Sequence, residues 1–405
     1  MEQAITQPSA PLVTTDIHTH LTGAPRSDEL VRLGLQHDMK YPAAMLRLAG
    51  VALPDGIRVT GSDTRMLPGG IAAPARGSPE VRLRDLPCVS LGLLTAAMQV
   101  PARPPAGTQG EPFVALERAY SVRRPLAASR LLLADVLRSV AADACRDGVS
   151  HIEPSASAPL LDGPDGGHAW LADASAAAAA IRRETGVRSL FLATVNRHSP
   201  HAALARSLAR LDEAMSAWPL LVGVDIAGHE TNPAADFMPL VVSWAASRVR
   251  RGLPAVIRIH AGETSCHPAN VRAVLEGFRQ IGLPPGMGRV GHALHGVGRR
   301  EVALARETGA IFEMGIGSNR ANGYRAASVR SVGGARLTRL IRAGVAAVLG
   351  TDGGGIYRTC SAREARHAIT DGAPRAILAE VVRCEEVHIQ RMAGAFPAAF
   401  ATPPS

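Results

Sequence analysis

Six side chains in this 405-residue chain stand out, by type and spacing together, as able to hold a metal or move protons. His18 and His20 stand two apart in Asp-Ile-His-Thr-His, so an extended backbone points both imidazoles to one face. His260 and Glu263 flank a glycine in His-Ala-Gly-Glu, His292 closes Arg-Val-Gly-His, and Asp352 follows Gly-Thr. Three or more imidazoles with a carboxylate suit a borderline divalent cation, most often zinc. A further carboxylate nearby supplies a proton carrier, which a purely structural metal site does not need. Taken singly, each residue has a plainer role: a histidine capping a carbonyl, or an aspartate in a turn. Chemistry requires that the fold bring them together.

The elements that must do so can be read from the apolar pattern. Short β-branched or aliphatic runs fall at 13–20, 149–155, 188–195, 221–227, 255–260, 289–293, 310–315 and 346–351. Between them, amphipathic stretches at about 171–184, 201–216, 236–250, 268–281, 299–308 and 334–343 have helical spacing. A further helix is expected over 113–147, closed by Gly148, and Ser27-Asp28-Glu29 reads as a helix start. Eight strands alternating with helices predict an α/β fold, a (β/α)8 TIM barrel, whose chemistry sits at the carboxyl ends of the strands. His18, His20, His260, His292 and Asp352 all fall at such ends, on the first, fifth, sixth and eighth strands. Barrel closure sets the first strand beside the last, and so the two histidines beside Asp352. The rhythm is absent from 51–112, where Pro and Gly are frequent; this segment reads as an irregular insertion or lid after the first strand. The expected organisation is one barrel domain over 1–405, with 1–12 and 398–405 as loose termini.

Composition bounds the partners. Hydrophobic residues make up 46% and charged residues 20%, enough for a large core, while aromatics are only 3%. The formal charge is +9, but Lys40 is the only lysine, and no basic stripe interleaved with aromatics is present, so nucleic acid is not an expected partner. The five cysteines, Cys88, Cys145, Cys266, Cys360 and Cys384, form no C-x-x-C pair, which excludes a disulfide framework and fits a cytoplasmic setting. No leader pattern begins the chain and no apolar run reaches about 18 residues, so neither export nor a membrane span is expected.

Taken together the motifs resemble the adenosine deaminase family of metal-dependent amidohydrolases. They stand as Asp-Ile-His-Thr-His-Leu-Thr-Gly (16–23), Gly-Val-Asp-Ile-Ala-Gly-His-Glu (223–230), His-Ala-Gly-Glu (260–263), Arg-Val-Gly-His (289–292), Phe-Glu-Met-Gly-Ile-Gly-Ser-Asn (312–319) and Gly-Thr-Asp (350–352). The likeness runs from about residue 14 to 365 and is weakest over 51–112. It implies one Zn2+ per chain, bound by His18, His20, His260 and Asp352. His292 and Asp352 would orient a water and take its proton, and Glu263 would protonate a ring nitrogen. Attack of metal-bound hydroxide and loss of ammonia would complete the reaction. His20, Thr22, Gly228 and Gly353 would meet the substrate, Gly228 through its backbone.

The departures concern recognition. The family usually carries aspartate where Thr22 stands, for the ribose 5′-hydroxyl, and a second aspartate at Gly353, for the imidazole edge of a purine. Its Cys-Pro becomes Gly315-Ile316, and an arginine of the second-strand region gives way to Pro154-Ser155. The expected activity is therefore deamination of an aminopurine nucleoside or related compound with altered preference. The alternatives are a hydrolase for a modified or phosphorylated adenine compound or a pterin-like ring, and a catalytically silent zinc protein. Phosphate would call on Arg26, Arg123, Arg124 or Arg358. Cys266, His267 and His295 read as loop residues.

Overall fold

The computed structural model describes residues 12–67, 70–101, 112–157, 167–323 and 333–401. Its centre is built by the apolar runs: Val222, Val224, Ile226, Val256, Ile257, Ile259 and Val290 are all fully buried. Strands covered on both faces read as such continuous runs, which is the signature of a parallel sheet under helices. The strands are β1 (Thr15–His20), β2 (His151–Ser157), β3 (Phe191–Asn196), β4 (Leu221–Ala227), β5 (Val256–Ala261), β6 (Gly288–His292), β7 (Ile311–Met314) and β8 (Ala347–Leu349). They lie in chain order and every neighbouring pair is parallel. The seam between β8 and β1 is closed just past β8, where Asp352 N donates to the His18 carbonyl at 2.8 Å and Thr351 N donates to Asp16 Oδ1 at 3.1 Å. The result is a nearly closed eight-stranded barrel ringed by helices, the architecture expected from the β–α alternation.

β1 is not regular. Its pairing with β2 shifts register between Asp16 and Thr19, as a bulge does. Ile17 consequently packs with Ile311 and Val348, while Asp16 bonds Thr351 and does not share the position of the two histidines. Simple alternation puts Asp16, His18 and His20 on one face; the bulge removes Asp16 from it.

Three other boundaries differ from the sequence pattern. The expected 113–147 helix is two, Pro112–Ala127 and Leu133–Arg146. Pro125 lies in the last turn of the first, and its missing N–H and rigid ring help to end that helix two residues on. Residues 51–67 and 70–101 are more ordered than their Pro and Gly content suggests. They contain Thr64–Met66 paired with Ala72–Pro74, Glu80–Arg82 paired with Lys40–Pro42, and the helix Cys88–Ala97. Strands of three residues are too short to show a period, and Leu83, Leu94 and Met98 anchor the segment to the main core. At the other end, Arg375–Ala395 is a long helix and Pro397–Phe400 a short one, so helix extends into the expected loose terminus. Residues 1–11 and 402–405 lie outside the described residues.

The long terminal helix is tied to the barrel by charge as well as by apolar contact. Thr14 donates to Glu385 through N and Oγ1 at 2.7 and 2.8 Å, and His388 Nε2 lies 2.8 Å from Glu153 Oε1. Among the described residues, no helix is long and apolar enough to cross a membrane.

Candidate active site and metal centre

The carboxyl ends of four strands deliver the six side chains to one point. His18 and His20 come from β1, His260 from β5 and His292 from β6, while Glu263 and Asp352 follow β5 and β8. Five of the six are almost fully buried and His20 keeps 13% side-chain exposure, so it faces the opening. His292, Ala293 and Asp352 adopt positive φ values of 67°, 47° and 59°. Such conformations are costly for residues with a Cβ and persist where surrounding bonds enforce them. Here Ala293 N donates to the Ala261 carbonyl and Asp352 N to the His18 carbonyl. The bonds turn both side chains toward the centre.

The ring nitrogens and carboxylates converge. His20 Nε2 lies 3.3 Å and His18 Nε2 3.6 Å from Asp352 Oδ1, and His260 Nε2 lies 3.2 Å from Asp225 Oδ1. One ligand atom each from His18, His20 and His260 lies within 4.8 Å of the others, and the same holds for His18, His292 and Asp352. Nε2 of His18 and of His260 is buried without a hydrogen-bond partner, as is Oδ1 of Asp225. Unsatisfied buried lone pairs facing one another are costly unless a cation takes them up. The donor set, imidazole nitrogens beside a carboxylate, is one that a divalent metal fits.

The opposite edges of the imidazoles are held. His18 Nδ1 donates to Glu313 Oε2 at 2.8 Å, and His20 Nδ1 meets Ser155 Oγ at 2.8 Å. Such bonds fix the ring and leave Nε2 as the metal-facing atom. Burial disfavours charge on His18, but the carboxylates of Asp352 and Glu313 outweigh it and raise the imidazole to about 9. Asp352 is buried too, yet His18, His20 and His292 around it hold its carboxyl well below the usual range. Asp225 is likewise held low against burial, by Arg258 and His260.

Glu263 owes its position to its neighbours. Gly262 has φ +72°, and a Cβ there would collide with the His295 carbonyl oxygen, so glycine alone lets the chain turn. The turn is pinned by Glu230, whose carboxylate accepts from Gly262 N at 2.8 Å, Thr264 N at 2.6 Å and Asn270 Nδ2 at 2.9 Å. Glu263 Oε1 is thereby set 3.9 Å from His292 Nε2. Burial raises the Glu263 carboxyl to about 7, with His292 opposing. A carboxyl group of that strength can give or take a proton near neutrality.

The residues expected to meet substrate border this centre unequally. Thr22 is half-buried just past β1, and its carbonyl accepts from Arg123 Nε at 2.9 Å. Gly228 follows β4 with φ +113°, and Gly353 follows Asp352 with φ +133°. Three of the arginines suggested for phosphate are committed to other partners or to another cavity. Arg123 is fully buried and donates to the carbonyls of Thr22, Gly23, Pro25 and Met98 and to Ser27. Arg26 pairs with Asp28 and Asp143. Arg358, with Arg26, lines a separate cavity of about 390 Å³ that Asp16, Thr19 and Thr351 also border. Cys266 is exposed and His267 half-buried.

Several contributors carried no assigned role in the sequence reading: Asp225, Glu230, Glu313, Ser155, Tyr120 and Tyr357. The first three stand inside the quoted motifs, and a charged residue on a buried strand or beside one must have a partner. That signal was available. Tyr120 comes from the helix Pro112–Ala127 and its ring stands edge-on to His20 with centroids 6.5 Å apart. No local pattern marks such a residue.

With the geometry described, the relatives can be set beside it. A model of the adenosine deaminase family matches residues 108–371. No curated protein matches the chain. Among solved structures, an adenine deaminase from Arthrobacter aurescens is similar with a TM-score of 0.62 at 14% identity, covering 96% of this chain and 98% of its own. The Arabidopsis N6-mAMP deaminase gives 0.59 at 16% identity over 96% and 98%. An amidohydrolase from Burkholderia ambifaria, with bound Zn, gives 0.59 at 15% over 98% and 95%. At these identities the structures speak for the barrel, and the family match spans well over half the sequence. This chain therefore belongs to the adenosine deaminase family, hydrolases that act on carbon–nitrogen bonds.

Proposed function

We propose that the protein is a zinc-dependent deaminase of an aminopurine nucleoside or a related amino-substituted ring. His18, His20, His260 and Asp352 would hold the metal. A zinc ion there supplies Lewis acidity and makes water nucleophilic at neutral pH. His292 and Asp352 would orient that water and accept its proton, their side chains approaching to 4.0 Å. Glu263 would hold a proton at Oε1 and give it to the ring nitrogen beside the carbon under attack. The exocyclic nitrogen then leaves as ammonia. Gly228 would offer its backbone and His20 its exposed edge to the ring, with Thr22 and Gly353 at the far side. The described part of the segment 51–112 and the helix Pro112–Ala127 would act as a lid that excludes water.

The observation that carries this reading is the buried Glu263, raised to about 7 and 3.9 Å from His292 at the edge of the histidine cluster. A protein that kept a metal for structure alone would gain nothing from a buried acid beside it. The test is ammonia release by zinc-loaded protein from adenine, adenosine, adenosine 5′-phosphate and a pterin amine, with metal content measured on the same sample. Release from a purine is expected. Full metal occupancy with no ammonia from any of the four would overturn the proposal.

A further inference from the structure

The place of the family's second aspartate is not simply vacant in this chain. Gly353 has φ +133°, and a Cβ on it would lie 3.0 Å from Ile356 Cγ2 and 3.2 Å from Gly23 Cα. Gly23 is itself covered: a Cβ there would lie 2.9 Å from Tyr120 Oη. The three residues are stacked, Gly353 on Gly23 and Gly23 under the Tyr120 hydroxyl. Backbone bonds lock the stack, with Ile356 N donating to the Gly23 carbonyl at 2.9 Å and Gly355 N to the Ala24 carbonyl at 2.9 Å. No side chain at position 353 could reach the site without breaking this arrangement.

Two phenols stand at the same spot. Ile356 and Tyr357 form a small apolar cluster with Val100, Leu116 and Ala119, separate from the main core, so the lid helix is docked on the loop after Asp352. Through that docking Tyr120 is brought to the rim of the histidine cluster, its ring edge-on to that of His20, and Tyr357 lies in the cluster against which Tyr120 packs. Tyr357 Oη accepts a bond from Asn322 Nδ2 at 3.2 Å, which leaves its own proton free to donate. Tyr120 Oη makes no hydrogen bond to another described residue, so its hydroxyl is available to a ligand. Burial keeps both phenols well above their usual range, with the nearby Asp352 carboxylate adding to it, so both are neutral donors at any working pH. The wall continues with Phe113, whose ring lies 4.5 Å from that of His229, beside Gly228.

We infer that Tyr120 and Tyr357 are specificity-determining residues that donate hydrogen bonds to the edge of the substrate ring in place of the side chain Gly353 cannot carry. The inference rests on the deaminase reading above. Two neutral phenols and a phenylalanine select an uncharged, planar amino-heterocycle with acceptor atoms on the edge away from Glu263. Among the described residues, Arg123 is spent on backbone carbonyls, Arg26 and Arg358 line the other cavity, and the buried Arg197 is paired with Glu230 and the His260 carbonyl, so none of these four arginines is offered to a phosphate. The substrate class is therefore a free aminopurine or its nucleoside, in preference to a nucleotide.

The test compares zinc-loaded wild type with Tyr120→Phe and Tyr357→Phe, which remove one oxygen each and keep the ring. Each variant should keep its metal and melting temperature and lose roughly tenfold in kcat/KM, mainly through KM, the usual scale for one lost bond to a bound ligand. Wild type should prefer adenine or adenosine over adenosine 5′-phosphate by at least about tenfold. Unchanged kcat/KM in both variants, or a preference for the nucleotide, would overturn the inference while leaving the deaminase reading intact. Calorimetric titration with hypoxanthine, which needs no turnover, separates the two readings. If wild type binds it and either variant binds more weakly, the phenol contact stands even without ammonia release. Equal binding by all three proteins, or none by wild type, counts against it.

Discussion

His18 Nδ1 and Glu313 Oε2 lie 2.8 Å apart at the heart of the barrel, both fully buried, with the other face of the imidazole turned to the metal centre. The carboxylate fixes the ring and makes its free nitrogen a better ligand. Replacement by glutamine keeps the shape and removes the charge. Glu313→Gln should weaken metal affinity by roughly 10- to 100-fold, measured by competition with a chromogenic chelator. Affinity equal to wild type would show that Glu313 does not tune the ligand.

Glu263→Gln should leave the metal in place and lower kcat by about 10²- to 10⁴-fold, the usual contribution of a positioned acid. In the proposed mechanism the acid works in its protonated form. Because burial raises its carboxyl to about 7, the rate of wild type should fall as pH rises through that value. A rate in the glutamine variant close to wild type would remove Glu263 from the mechanism.

Glu385 gives a prediction about stability alone. Burial raises its carboxyl from the ordinary 4.5 to about 7, against the opposing bonds from Thr14. The folded state therefore binds a proton that the unfolded state has released between those values, so its contribution declines as pH rises from about 4.5 to about 7. Glu385→Gln should flatten that decline and raise stability at pH 8, by on the order of 2 kcal/mol. Denaturant melts at pH 5 and pH 8 decide it; an unchanged pH slope in the variant would refute the assignment.

Gly353→Asp restores the family's usual residue by type, but this backbone cannot accept it. The conformation at +133° and the closeness of Gly23 predict a loss of about 1 to 3 kcal/mol. Activity should drop on every substrate. A stable variant with improved turnover of adenosine would mean that the loop opens freely.

The alternation of apolar runs and amphipathic stretches was enough to read the barrel, because parallel strands buried on both faces need uninterrupted apolar residues. The convergence of His18, His20, His260, His292, Glu263 and Asp352 was also legible, since each falls at a strand end and the fold decides the rest. Two kinds of feature were not. The bulge that turns Asp16 toward Thr351 depends on how β1 is offset against β2, which no local spacing records. Tyr120 is brought to His20 across about a hundred residues of sequence by docking of the helix Pro112–Ala127 on Ile356 and Tyr357. Such tertiary placement leaves no period behind. Glu230 and Glu313 lie between, since their charge in or beside apolar strands announced a partner without saying which.

The final helix extends the meaning of the His18–Glu313 pair. His388 bonds Glu153, Glu153 pairs with Arg289 at 2.6 Å, and Arg289 reaches Glu313 at 3.4 Å. A continuous chain of buried polar side chains thus runs from the final helix to His18 in the histidine cluster. Its two ends lie outside the segment recognised by the family, which spans 108–371. The border that similarity draws around this protein is not the border at which it can be cut: shortening the chain to that segment would discard both β1 histidines and strand Glu153 without one of its buried partners.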